Sequence, residues 1–356
     1  MVEGILGAII IIVMTFRSWV TLITFILLAL VVYFGWDQIT KAWQLLGSVN
    51  IWVWLLLIPV QLLSYYTTGE MMFSYLRSRG DLQQTSRWEM TRMALELNFV
   101  NHILPSGGAA GFSYMGWVLN RHGVSAGRAT MAQIIRFVLT FISFVAMVVV
   151  AVVVLTFDHK INQTITIVSL ILVITATVGT AFLIYVINNH QRLIRLSGWV
   201  TRTVNKMSSI LSRGKKKQIL KLQSVEEFFT DIHRDFLEIR REKKILMRPL
   251  GWSILTNILD VLLIYIAFIS LNLWINPAIL FIAFGITSVI SIISSSPGGA
   301  GVYEAVMISF LASSGVSPEV AIAGILLARA TLLTGTVLFG YIFYQLTINK
   351  YGRASN

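Results

Sequence analysis

Charge is almost absent from six long stretches of this chain: Trp19–Trp36, Ile51–Tyr66, Met131–Phe157, Ile165–Ile187, Leu250–Trp274 and Val320–Tyr344. Roughly 20 predominantly apolar residues cross the ~30 Å hydrocarbon core of a bilayer as a helix. In that medium every backbone polar group must be satisfied internally, so runs of this kind commit a chain to membrane helices. Pro277–Ser294 is a seventh apolar stretch, while Leu95–Ile103 and Phe112–Leu119 are shorter and interrupted by Gly, Pro and polar residues. Gly4–Thr15 is also apolar. Glu3, and the lack of Lys or Arg before Arg17, argue against a signal peptide with its basic leading region. Residues 1–16 are left as a spanning, anchoring or start-site segment.

Composition narrows the class further. Of the 356 residues 56% are hydrophobic and only 12% charged, about half the ~25% charge of soluble domains. An ordinary soluble enzyme is excluded. The absence of cysteine removes disulfide scaffolds, iron–sulfur clusters and thiol nucleophiles. The formal charge of +12 is concentrated: residues 188–249 hold 15 Lys and Arg against 6 Asp and Glu. A charge excess confined to one loop between apolar blocks points to an anionic lipid surface and not to nucleic acid.

That loop carries two helical patterns. Leu193, Ile194, Trp199, Val200, Val204, Met207 and Leu211 recur at helical spacing, as do Val225, Phe228, Phe229, Ile232, Phe236 and Ile239. Two amphipathic helices broken around Gly214–Lys217 fit the pattern. They either form a cytoplasmic hairpin that packs on itself or on a partner subunit, or dock on anionic headgroups.

Lys and Arg fix the expected orientation, since they accumulate on the cytoplasmic side. With Arg17, Arg77–Arg92, Arg121–Arg128, the 188–249 insertion and the tail inside, 24 of 28 basic residues are cytoplasmic. The expected organisation is a first membrane half at 17–187 with a hairpin at 93–120, and the basic insertion at 188–249. A second half at 250–346 with a hairpin at 277–315 and a cytoplasmic tail at 347–356 complete it.

The two halves share a pattern. Pro105-Ser-Gly107-Gly108 is followed by Gly123-Val-Ser125, Ala129 and Arg136. Pro297-Gly298-Gly299-Ala-Gly301 is followed by Gly315-Val-Ser317, Ala321 and Arg329. The spacing from the Gly pair to Gly-Val-Ser is 16 and 17 residues, and from there to Arg 13 and 14. Pro and Gly end a helix, so each copy reads as a re-entrant hairpin or as a tight turn between two spans. Under the orientation above the copies enter from opposite sides. The expected fold is therefore an all-α polytopic bundle with two inverted-topology repeats, an architecture that secondary transporters use around a midplane site.

Arg136, Asp260, Glu304 and Arg329 lie within apolar segments, where an ionised side chain costs at least ~2.5–3.5 kcal/mol on insertion scales. They are the candidate substrate-binding residues: Arg136 and Arg329 for a phosphate, which guanidinium binds bidentately, and Glu304 for an ammonium or a proton. A structural Glu304–Arg329 ion pair is the plainer alternative. Asn98 and Asn101, one helical face apart by three residues, join the candidates either as cavity lining or as helix-to-helix hydrogen bonds; Glu96 is read as interfacial. No phosphate-binding Gly-x-x-x-x-Gly-Lys loop, His-Glu-x-x-His or Gly-x-Ser-x-Gly is present, so no catalytic residue, metal or cofactor is expected. Ser294–Ser296 reads as satisfying freed backbone.

Pro297-Gly-Gly-Ala-Gly-Val-Tyr-Glu304, the following Gly-Val-Ser-Pro and Ala328-Arg329 resemble the C-terminal signature of the lysylphosphatidylglycerol synthase transmembrane, or flippase-like, family. Leu97-Asn-Phe-Val-Asn101 and Leu104-Pro-Ser-Gly-Gly108 resemble its first motif, and the similarity covers residues 17–346. The family includes the membrane half of the multiple peptide resistance factor, which moves lysyl-phosphatidylglycerol between leaflets. The resemblance implies a lipid-translocase role for Asn98, Asn101, Pro105, Gly107, Gly108, Pro297, Gly298, Gly299, Glu304 and Arg329. Some relatives carry an acidic residue and an Arg in the first hairpin, where Ala109–Tyr114 has neither. The chain runs about ten residues past its last expected span, so no soluble aminoacyl-transfer domain is expected. The combined expectation is a multi-pass cell-membrane protein that moves an anionic or aminoacylated lipid between leaflets. The alternative is the membrane subunit of a lipid aminoacyl- or glycosyl-transferase. Partners in these readings are membrane lipids, a soluble lipid-modifying enzyme and a second copy of the chain.

Overall fold

A computed structural model describes residues 43–103, 109–158, 161–211, 221–293 and 299–351. Segments 1–16 and Trp19–Trp36, the residues Pro105, Gly107, Gly108, Pro297 and Gly298, Ser294–Ser296 and Gly214–Lys217 lie outside them. Among the described residues every regular element is a helix. They are α1 (Ile51–Leu55), α2 (Leu57–Ser78), α3 (Arg87–Ile103), α4 (Ala109–Arg121), α5 (Ala126–Phe157) and α6 (Gln163–Ile187). After them come α7 (His190–Leu211), α8 (Leu222–Arg241), a 3₁₀ turn at Lys243–Leu246, α9 (Met247–Ser270), α10 (Pro277–Ile293), α11 (Val302–Ser313) and α12 (Pro318–Tyr351).

Among the described residues five helical stretches are long and apolar enough to cross a membrane: Ile51–Ser78, Ala126–Phe157, Gln163–Ile187, Lys243–Ser270 and Pro318–Lys350. Their starts follow local chemistry. Asn50, Ser125 and Asn162 accept hydrogen bonds from the first free backbone N–H groups of α1, α5 and α6, as N-cap side chains do. Several bounds differ from the sequence reading, with α3 starting at Arg87 ahead of Leu95 and α12 running to Tyr351 past Tyr344. The helix expected at Ile51–Tyr66 continues to Ser78, and the stretch expected at Leu250–Trp274 ends at Ser270 before a turn in which Asn272 has φ 58°.

The centre of the bundle is the antiparallel pair α2 and α9. Ser64 Oγ donates to Asp260 at 2.6 Å, Thr256 Oγ1 bonds Thr67 Oγ1 at 2.9 Å, and Tyr66 meets Trp252 edge to face. The Asn257 amide then ties α9 to α5, donating to Ser143 Oγ at 2.7 Å and the Thr140 carbonyl at 3.2 Å. Lipid tails offer no hydrophobic drive for helix pairing, so cross-helix hydrogen bonds and close packing do that work.

Two pairs of short helices flank this centre. α3 and α4 run antiparallel, joined by Glu89 with His122, Glu96 with Tyr114, and Asn101 with Gly111. α10 and α11 pack on each other, and their outer ends meet the α5–α6 turn. There Asn276 donates to Asp158 at 2.9 Å and Asn162 donates to the Ser313 carbonyl at 3.2 Å. The arms of 17, 13, 17 and 12 residues rise about 26, 20, 26 and 18 Å, each short of a ~30 Å core.

The turn that follows each pair has one geometry. Gly123 and Gly315 sit at φ 82° and 95°. The next N–H, of Val124 or Val316, reaches back to the Leu119 or Leu311 carbonyl at 3.0 Å in both copies. This six-to-one bond with a left-handed Gly is the Schellman ending. A long helix then starts at once, α5 or α12.

Residues 188–249 hold the two expected amphipathic helices, α7 and α8. They pack on each other, as one sequence alternative had it, and the apolar face of α8 also packs against the bundle itself, which neither alternative included. Ile232 and Ile239 of α8 are buried in a cluster with Met131, Ile135 and Ile187. Arg79 pairs with Glu238, and Arg128 with Asp81 and Asp235.

Candidate functional site

Glu304 starts the site. The turn before α11 places Gly301 at φ 84°, and its N–H donates to Glu304 Oε2 at 2.6 Å. The carboxylate thus caps its own helix, favoured by the positive helix end. Arg329 Nε donates to the other oxygen, Oε1, at 2.7 Å, and the Arg329 guanidinium lies 4.2 Å from the Tyr303 ring. Arg329 is buried at 8% exposure, so a pair this deep needs such additional partners to offset desolvation. The plainer sequence alternative, a Glu304–Arg329 ion pair, is what the geometry contains.

Around the pair, other polar groups collect from separate helices. Asp260 accepts from Ser64, and the charges of Asp260, Glu304 and Arg329 all act on the Tyr303 hydroxyl. Tyr65 bonds Thr336, and the Gln61 amide donates to Tyr65 Oη and to the Leu332 carbonyl, both at 2.8 Å. From α3, His102 donates through Nδ1 to the Asn98 carbonyl at 2.8 Å and lies within reach of the Arg329 charge. The first turn of α11 and the middle of α12 therefore meet at the Glu304–Arg329 pair.

The remaining sequence candidates take other places. Asn101 accepts from the Gly111 N–H at 3.1 Å, a bond between the two arms, whereas Asn98 donates back to the Ala94 carbonyl of its own helix. Gly299 has φ 72° and is buried before α11. Arg136 makes no contact with the Glu304–Arg329 group among the described residues; its guanidinium stacks 4.7 Å from the Phe137 ring, and its Nε is buried without a hydrogen-bond partner. Glu96 is not interfacial. It is fully buried, accepts from Thr347 and Tyr114 at 2.7 and 2.8 Å and pairs with Arg92, so it knots α3, α4 and α12 together.

A second feature has no counterpart in the sequence reading. A cavity of about 1000 Å³ opens between α2, α9 and the 3₁₀ turn, lined by Glu70, Arg77, Arg87, Lys244, Arg248 and Trp252 among others. Glu70 is 4% exposed and pairs with Arg77, while its Oε1 has no hydrogen-bond partner. The wall extends to Leu255, five residues or about 7.5 Å of helix rise from Asp260. These residues come from segments far apart in the chain, each showing only a single polar face, so no local spacing revealed them.

Among the described residues no group of three or more His, Asp or Glu could hold a metal ion. A UPF0104 membrane protein of Methanothermobacter thermautotrophicus is 23% identical over 262 residues, 69% of this chain and 75% of the relative. Another, from Methanocaldococcus jannaschii, is 28% identical over 163 residues, 46% of each chain. Residues 6–340 match the family described as the lysylphosphatidylglycerol synthase TM region, and the chain belongs to that family of membrane proteins.

Proposed function

We propose that the chain is a lipid translocase that moves a phospholipid with an anionic or aminoacylated headgroup between leaflets. The observation that carries this reading is the Glu304–Arg329 pair, its guanidinium buried, that joins the start of α11 to α12 inside a bundle of spanning helices. In this reading the α3–α4 and α10–α11 pairs are re-entrant hairpins of two inverted repeats. Their short arms, the shared Schellman turns and their outer ends at opposite ends of α5 support it. The ~1000 Å³ cavity with four cations against Glu70 and Glu242 is where a headgroup enters.

The pair acts as a placeholder. Arg329 exchanges the Glu304 carboxylate for the lipid phosphate, to which guanidinium donates bidentately. Glu304, still held by the Gly301 N–H, then takes the ammonium of an aminoacyl group or a proton. When the headgroup leaves, the pair closes again, and no bare charge is left at depth. The acyl chains remain in lipid.

Purified protein in liposomes tests this with fluorescent phosphatidylglycerol and lysyl-phosphatidylglycerol. Wild type is expected to exchange labelled lipid between leaflets, and Glu304→Gln and Arg329→Gln variants with unchanged helical content to lose it. Equal movement by wild type and both variants overturns the assignment of the site. No movement of either lipid by folded wild type overturns the function for these headgroups.

A further inference from the structure

We propose that α7 is an interfacial helix whose Arg192, Arg195, Trp199, Arg202 and Lys206 face docks on the anionic phospholipid headgroups of the leaflet at the α8 end. The inference stands apart from lipid translocation.

The face is built by spacing. These five residues follow one another at intervals of 3, 4, 3 and 4, so they share one stripe of the helix. Arg195, Trp199, Arg202 and Lys206 are exposed, Trp199 at 59%, and Arg192 is half-buried. The opposite stripe, Leu193, Ser197 and Thr201, is buried, on the side where α7 packs against α8. The helix is thus anchored by one face with the basic face left open.

Charge on the two insertion helices is segregated. No Asp or Glu occurs from residue 188 to 225, so the α7 cations have no carboxylate on their own helix to neutralise them. The acids lie on α8, and three of its five are engaged by cations: Asp231 by Arg234, Asp235 by Arg128 and Glu238 by Arg79. A surface that carries only cations around a central Trp complements an anionic headgroup layer, where indole rings also concentrate.

Continuity with the lipid-facing surface sets the direction of the stripe. Ile174, Val178, Phe182 and Tyr185 form an exposed apolar line down α6, which ends two residues later at Ile187. Arg192 reaches back to the last of them, donating to the Tyr185 carbonyl at 2.8 Å with its guanidinium 3.4 Å from the ring centre. The first cation of the stripe therefore touches the lipid-facing line where the span leaves the hydrocarbon. Snorkelling cations beside an aromatic belt mark that depth. Nucleic acid has no reason to meet a stripe joined to the lipid-facing side of a spanning helix.

The cysteine-free chain makes the test direct. Gly198 borders the stripe, and a Cβ there meets nothing within 4 Å, so Gly198→Cys takes a fluorescent label while Trp199 is kept. Full-length protein is reconstituted in phosphatidylcholine vesicles with or without phosphatidylglycerol, and a neutral aqueous quencher is added. Roughly twofold less quenching is expected in the anionic vesicles, with the difference lost at high salt as the charges are screened. It is also lost in the Arg195→Gln/Arg202→Gln/Lys206→Gln background, and a label at Glu227→Cys on α8 should not respond. Equal quenching in both vesicle types, or a difference that salt does not change, overturns the proposal.

Discussion

Glu304 is held by two donors of different kind, and they predict different losses. Gln at position 304 keeps a carbonyl oxygen for the Gly301 N–H and gives up only the charged bond from Arg329. Removing Arg329 leaves the half-buried Glu304 carboxylate on the Gly301 N–H alone, and Glu304→Gln takes the carboxylate from the more deeply buried Arg329 guanidinium; losing one partner of a buried pair typically costs about 3–5 kcal/mol. The thermal unfolding midpoint in detergent should therefore fall for both single variants, and the double variant should recover part of the loss, with a coupling of roughly 1–3 kcal/mol. Strict additivity of the two single losses would show the pair to be uncoupled. Gly111 makes a second residue-scale prediction. A Cβ there would overlap the Asn101 side chain, which accepts the Gly111 N–H. Gly111→Ala should push that amide aside and orphan the bond at a cost of about 1–3 kcal/mol, and Asn101→Ala should remove most of the extra penalty. The charged pair was legible in the sequence because ionised residues inside apolar runs stand out. Their neighbours were not: Ser64, Tyr65, Gln61 and His102 are ordinary polar residues until the fold brings four helices together.

The α8 helix shows how an element's docking depends on charge at its buried edge. Ile232 and Ile239 supply the apolar contact, and a Cβ at Gly127 would come within 2.6 Å of the Asp231 Cβ, so the two helices approach closely. Asp235 lies in this interface at 5% exposure. Burial lifts its carboxyl above the ordinary 3.8, while the nearby Arg128 and Arg79 pull the other way. A carboxyl with a raised folded-state value holds its proton more tightly when docked. Docking is thus firmest below 3.8 and weakens as pH rises through the raised value. Amide exchange across Leu222–Arg241, corrected for intrinsic rates, should show protection falling with pH over that window, and Asp235→Asn should flatten the dependence. Protection that rises with pH would reverse the assigned sign. The insertion helices were legible from their apolar spacing, but their seat on the bundle was not, because amphipathicity shows a face and not its partner. The same limit hid the second half of α2. Thr67, Glu70 and Ser74 interrupt the hydropathy, yet all three are buried, and Thr67 finds a partner on α9.

At the scale of the whole molecule, the ends of the helices make the inverted arrangement testable. The α3–α4 pair has its outer ends beside Glu89 and His122, and α5 begins after the four residues that follow α4. α5 then rises about 47 Å through its 32 residues to the turn where Asn162 and Asp158 meet the outer ends of α11 and α10. α12 starts at that turn and returns, so that Thr347 near its end bonds Glu96 of α3. In the proposed reading the two helix pairs are hairpins entered from opposite ends of one long helix, as alternating access around a central site requires. Equivalent turns are then also expected on opposite faces of the membrane. The cysteine-free background allows Asn120→Cys and Ser314→Cys, one before each left-handed Gly turn, to be made singly. With the basic side cytoplasmic, a membrane-impermeant maleimide should label Ser314→Cys in intact cells and Asn120→Cys only in inverted vesicles. Labelling of both from one side would make the repeats parallel, and a pair of hairpins on the same face could not gate a midplane site in turn.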